Sequence, residues 1–66
     1  MVLVSLTERE SVVLAGLADS MSMEQLAQSL YVSRNTLKSH TRSLYLKLGA
    51  HSREEALARA RQLGLL

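Results

Sequence analysis

An all-α domain of four helices is the fold class this 66-residue sequence predicts, and three observations predict it. The chain has no proline and only three glycines, Gly16, Gly49 and Gly64, so helices run uninterrupted while the punctuation of strands is missing. Four times a Ser or Thr stands at helix-start spacing ahead of an apolar pattern. A chain this short must also bury its 47% hydrophobic residues in one shared core, with 21% charged residues supplying the surface.

Thr7 followed by Glu10 is a capping box, which starts the first helix near residue 8. Val13, Leu14 and Leu17 then share a face, and the pattern lapses around Asp19 and Ser20, after about three turns. Ser22 with Gln25 repeats the box, and Met21 opposite Leu26 forms the hydrophobic staple of a second, shorter helix that ends near Leu30. Ser33 reads as a third cap of the same design, stapled by Val32 and Leu37, and opens a helix that runs to Gly49. Only Tyr31, Val32 and Ser33 separate these two helices, so they must cross steeply. Ser52 with Glu55 opens a fourth helix, from about Arg53 to Leu63, closing before Gly64, with Ala56, Leu57, Ala60 and Leu63 as its inward stripe.

Length and composition exclude most functional classes. Without cysteine there is no disulfide frame, thiolate metal site or thiol nucleophile, which fits a reducing, cytoplasmic setting. The longest wholly apolar runs, Met1 to Val4 and Val12 to Ala15, are four residues each, so neither a membrane span nor a signal peptide is expected. The first of these runs reads as a linker remnant or an N-terminal strap, residues 1–5, on a single domain spanning 1–66. His40 and His51 lie eleven residues apart with no ligand partner at helical spacing, so no metal is expected. No nucleophile turn accompanies the serines, and no cofactor, small-molecule ligand or catalysis is expected.

Charge is laid out unevenly. Residues 1–24 carry Glu8, Glu10, Asp19 and Glu24 against Arg9, a net −3, whereas residues 25–53 carry Arg34, Lys38, Arg42, Lys47 and Arg53 with no acid, a net +5. Such a segment presents a positive patch to a polyanion. On the third helix, Leu37, Leu44 and Leu48 define the core stripe. Opposite them, Asn35, Lys38, Ser39 and Arg42 fall within an arc of ~100°, all polar and none acidic. Arg and Lys donate to guanine, Asn pairs with adenine, and a small Ser lets a helix sit deep in the major groove. Thr36, Ser43 and Lys47 flank this face at phosphate reach, and Arg34 with the Ser33-capped helix start offers further donors to a phosphate oxygen. A short capped helix, a three-residue turn and a longer helix with a basic outer face together form a helix-turn-helix.

With these features the chain resembles the LuxR-type (FixJ- and NarL-like) helix-turn-helix domain over essentially its whole length. The matching residues are Leu6-Thr7-Glu8-Arg9-Glu10, Val13-Leu14, Leu26-Ala27, Leu30, Val32-Ser33, Thr36-Leu37-Lys38-Ser39-His40, Lys47-Leu48-Gly49, Ser52-Arg53, Ala56 and Gly64-Leu65. The resemblance implies the effector domain of a bacterial transcription regulator, such as a response regulator, that binds an inverted-repeat operator in double-stranded DNA. The regulatory part that usually precedes such a domain is not in this sequence. By position, the resemblance puts Lys38, Ser39 and Arg42 at bases, joined by Asn35 from the helix face, and puts Ser33, Thr36, His40 and Lys47 at or near the DNA backbone. It also implies a weak homodimer through the fourth helix, where Ala58, Arg59 and Gln62 point away from the core stripe, leaves room for contact with RNA polymerase, and suggests a pair between Glu10 and Arg53.

Four positions depart from the family pattern, among them Ser39, which stands where some relatives have valine and so weakens the expectation of a thymine-methyl contact there. Ser20 stands where the family commonly has glycine, and Glu24 stands where a lysine often meets phosphate. Tyr31 sits at a turn position often held by glycine, where a left-handed backbone would cost about 1 kcal/mol. Two rival readings remain. In one, the same helix face docks on an acidic protein partner. In the other, the bundle lies on a membrane surface, which the lack of large apolar groups flanking the basic face disfavours.

Overall fold

The computed structural model describes residues 5–66, and the Met1 to Val4 run lies outside the described residues. Among the described residues the elements are four helices and no strand: α1 (Glu8–Ala18), α2 (Met23–Leu30), α3 (Arg34–Leu48) and α4 (Arg53–Gln62).

Each helix starts on a hydroxyl. The side chains of Thr7, Ser22, Ser33 and Ser52 accept from the backbone N–H groups of Glu10, Gln25, Thr36 and Glu55, satisfying donors that a helix start leaves without partners. The expected boxes at Thr7/Glu10 and Ser22/Gln25 are reciprocal, with Glu10 and Gln25 accepting from the cap backbone at 2.9 and 3.0 Å. The third differs from the expected design, because its partner Thr36 is too short to reach back. Instead the Ser33 hydroxyl donates to the Thr36 hydroxyl at 3.0 Å.

The helix ends follow a common plan as well. Ser20, Tyr31, Gly49 and Gly64 each have positive φ, at 62°, 56°, 67° and 73°. In each case the next residue donates its N–H to a carbonyl five positions back: Met21 to Gly16, Val32 to Ala27, Ala50 to Tyr45 and Leu65 to Ala60. These are Schellman motifs, and all four following residues are apolar and tuck against the core. Glycine adopts the left-handed conformation without strain at the last two ends, while Ser20 and Tyr31 adopt it despite carrying a Cβ.

α3 forms the axis of the domain and touches the other three helices. Its fully buried Leu37 and Leu44 meet Val13, Leu14 and Leu17 of α1 and Leu26 of α2, with Ala56 and Ala60 of α4 closing the core. Burying a Leu or Val side chain contributes roughly 1.5 to 3 kcal/mol each, and this cluster is what holds α3 in place. Thr41 is the one polar residue in the α3 stripe, and its hydroxyl donates to the Leu37 carbonyl at 2.9 Å. In α4 the expected inward stripe holds at Ala56 and Ala60 and half-holds at Leu57, but Leu63 is 45% exposed. The left-handed Gly64 turns the chain there, so Leu65 rather than Leu63 covers the core.

Candidate nucleic-acid interface

Because Leu37, Thr41, Leu44 and Leu48 all point inward, the remaining side of α3 is fixed as the outer face. Arg34, Asn35, Lys38, Ser39 and Arg42 are all exposed on it, and no acidic residue occurs anywhere on the helix. Among the described residues none of Arg34, Lys38 and Arg42 is in an ion pair. Asn35, Lys38, Ser39 and Arg42 therefore come together as one cationic, hydrogen-bonding strip about two turns long. The Ser33 cap leaves the first N–H groups of α3 at the head of this strip, next to Arg34.

The other predicted contacts lie elsewhere on the helix. Thr36, Ser43 and Lys47 occupy the flank toward α1, with Lys47 ~180° from Lys38 around the axis. His40 lies further round again and is half-buried. On α4, Ala58, Arg59 and Gln62 are exposed and share one side, away from the buried Ala56 and Ala60.

The flank toward α1 is organised by Glu10. This residue is 4% exposed, and its carboxylate serves three donors. Oε1 accepts from the Thr7 backbone at 2.9 Å and from Lys47 Nζ at 2.6 Å, and Oε2 accepts from the Ser43 hydroxyl at 2.9 Å. The Glu10 backbone N–H completes the cap by donating to Thr7 Oγ1 at 3.1 Å. The bond from Lys47, then that from the Thr7 backbone, outweigh the cost of burial and hold the Glu10 carboxyl down at about 2. Lys47 Nζ also donates to the Ser5 carbonyl at 3.2 Å, so two of its three protons are engaged within the domain.

The suggested pair between Glu10 and Arg53 is not formed. Glu10 is taken by Lys47, and Arg53 Nη2 donates to the Leu17 carbonyl at 2.8 Å, joining the start of α4 to the end of α1. Local spacing marks Glu10 as a cap partner and nothing more, since it carries no signal of partners 33 and 37 residues away.

Beside the strip, Met23, Lys38, Arg42, Tyr45, Leu46 and His51 line a shallow groove between α2, α3 and the α3–α4 turn. Burial pushes the Tyr45 phenol up, with the nearby Arg53 charge opposing. The described residues hold no group of three or more His, Cys, Asp or Glu placed to share a metal ion, and none of their helices is long and apolar enough to cross a membrane.

A family model described as bacterial regulatory proteins, luxR family, matches residues 4–60. The transcriptional regulatory protein YdfI of Bacillus subtilis (strain 168) is 46% identical over 61 residues, which cover 92% of this chain and 29% of YdfI. The HTH-type transcriptional regulator MalT of Serratia proteamaculans (strain 568) is 45% identical over 58 residues, covering 88% of this chain and 6% of MalT. The crystal structure of response regulator ChrA, from a heme-sensing two-component system, superposes on the whole chain with a TM-score of 0.90 at 36% identity, and the match covers 33% of that protein. The chain thus spans less than a third of the length of the curated relatives it matches.

Proposed function

The chain belongs to the luxR family of bacterial regulatory proteins, and on that premise we propose that it is the DNA-binding effector domain of a longer cytoplasmic transcription regulator. It binds double-stranded DNA sequence-specifically by placing α3 in the major groove and performs no chemistry on it. The observation that carries this reading is the exposed strip of Asn35, Lys38, Ser39 and Arg42 on a helix with no acidic residue.

Lys38, Ser39, Arg42 and Asn35 contact base edges, while Ser33, Arg34, Thr36 and His40 contact or border the backbone. Lys47 reaches a phosphate with its remaining proton while Glu10 keeps hold of it. The operator is an inverted repeat read by a weak homodimer, paired through Ala58, Arg59 and Gln62 of α4. RNA polymerase is a further partner in this reading, contacted from the DNA-bound state.

Selection of bound duplexes from a random pool, followed by titration at several salt concentrations, tests the proposal. With Arg34 at a phosphate, Lys47 adding up to one more, and Lys38 and Arg42 at bases contributing less than a full phosphate contact each, the logarithmic salt slope per monomer should lie between about −0.9 and −3.6. Equal binding to selected and random duplexes would remove the sequence specificity. Absence of any shift at low salt, together with tight capture by an acidic protein, would replace DNA with a protein partner.

A further inference from the structure

Leu46 projects from the outer face of α3 with 76% of its surface exposed. It lies one turn beyond Arg42 and within ~20° of the helical line through Ser39, two turns away. A face that only needs solvation has no use for a leucine there, and the core gains nothing from it.

Its surroundings define what can cover it. On the α2 side it walls the groove that also contains Met23, Lys38, Arg42 and Tyr45, and no residue lining that groove is acidic. A partner seated here therefore carries negative charge opposite Lys38 and Arg42 and an apolar group opposite Leu46. In the major groove of DNA that apolar group is the C5-methyl of thymine, flanked by base acceptors and phosphates. We propose that Leu46 reads a thymine methyl in the operator, which makes it a specificity-determining residue beyond the polar strip. The inference rests on α3 entering the major groove. Seven residues separate Ser39 from Leu46, ~10 Å along the helix, so the thymine lies two to three base pairs from those read by Lys38 and Ser39.

The test uses the 66-residue chain, its Leu46→Ala variant and a selected duplex in which each thymine is replaced in turn by deoxyuridine, which lacks only the methyl. The parent should lose roughly three- to fivefold in affinity at one thymine of each half-site, the value of one methyl withdrawn from water. Leu46→Ala should bind the unmodified duplex weaker by a similar factor, should not respond to deoxyuridine at that position, and should keep the parent's salt slope. Leu63→Ala, which alters the other exposed leucine bordering Leu46, should behave as the parent does.

A parent indifferent to every deoxyuridine, or a Leu46→Ala variant that keeps the full response, overturns the assignment while leaving DNA binding intact. If sedimentation shows that Leu46→Ala and Leu63→Ala both weaken self-association, with no response to the methyl, Leu46 belongs to a contact between copies and the assignment is again overturned. If no duplex is bound at all, the failure lies in the reading beneath, and this inference falls with it.

Discussion

The ammonium of Lys47 lies 2.6 Å from Glu10 Oε1, tying the last turn of α3 to the first turn of α1 through a residue with 4% exposure. The two residues stand 37 positions apart in sequence, so the contact closes the domain across its whole central segment.

Acid should weaken the fold through this carboxylate. Its folded pKa of about 2 lies below the ordinary 4.5, so the stability it contributes is complete above about pH 4.5 and is lost as pH falls toward 2. The full contribution is at most roughly 3 to 4 kcal/mol, since each tenfold change in proton affinity is worth ~1.4 kcal/mol. Glu10→Gln should lower the urea midpoint at pH 7 and flatten its decline between pH 4.5 and 2. A variant with the parent's acid limb would show that another group carries the effect.

Lys47→Ala should destabilise the domain in the absence of any nucleic acid, by ~1 to 3 kcal/mol, because Glu10 stays buried with its strongest partner gone. Thermal melts of the isolated chain measure this. An unchanged melting temperature would mean that the pair is worth no more than an exposed one.

Arg42→Ala should leave stability intact, since the side chain is exposed, but should cost ~1 to 3 kcal/mol on a selected duplex and relax preference at one base pair. The salt slope should fall by less than about 0.9, the value of a full phosphate contact, if the guanidinium meets a base rather than a phosphate. Competition binding across single-base variants of the duplex reads both quantities.

Tyr31→Gly should stabilise the chain by up to about 0.5 kcal/mol. Tyr31 is 96% exposed and holds φ at 56°, so its side chain contributes little packing while its Cβ strains the turn between α2 and α3. The gain is smaller than the strain because glycine also loosens the unfolded chain. Chemical denaturation of the two proteins compares them directly, and a loss of stability would mean that the turn is not strained.

Replacing Arg53 by Leu should cost ~1 to 2 kcal/mol, since it leaves the Leu17 carbonyl without the guanidinium that joins α4 to α1. Faster hydrogen exchange at the end of α1 and the start of α4, with α2 unaffected, would locate the loss. Uniform acceleration across all four helices would count against a local staple.

The helix starts are legible in the sequence because each depends on residues three apart, as at Ser22 and Gln25. The inward line of Leu37, Leu44 and Leu48 is equally plain from its period, and with it the polar strip opposite, since one side of a helix fixes the other. Long-range polar contacts leave no such trace. Arg53 serves a backbone carbonyl, an acceptor that every residue offers and no spacing marks. Leu63 continues the apolar period of α4 beyond the point where Gly64 redirects the chain, so periodicity alone places the wrong leucine on the core.

The helix caps differ in whether a proton can act on them. Ser22 with Gln25 and Ser33 with Thr36 contain nothing that ionises, whereas the start of α1 depends on a carboxylate. Because α1 and α3 bury their leucines in one shared core, protonating that carboxylate should lower the stability of all four helices together rather than release one of them. The segment suited to lie against DNA thus depends for its seat on an acid that stays on the far flank of the helix.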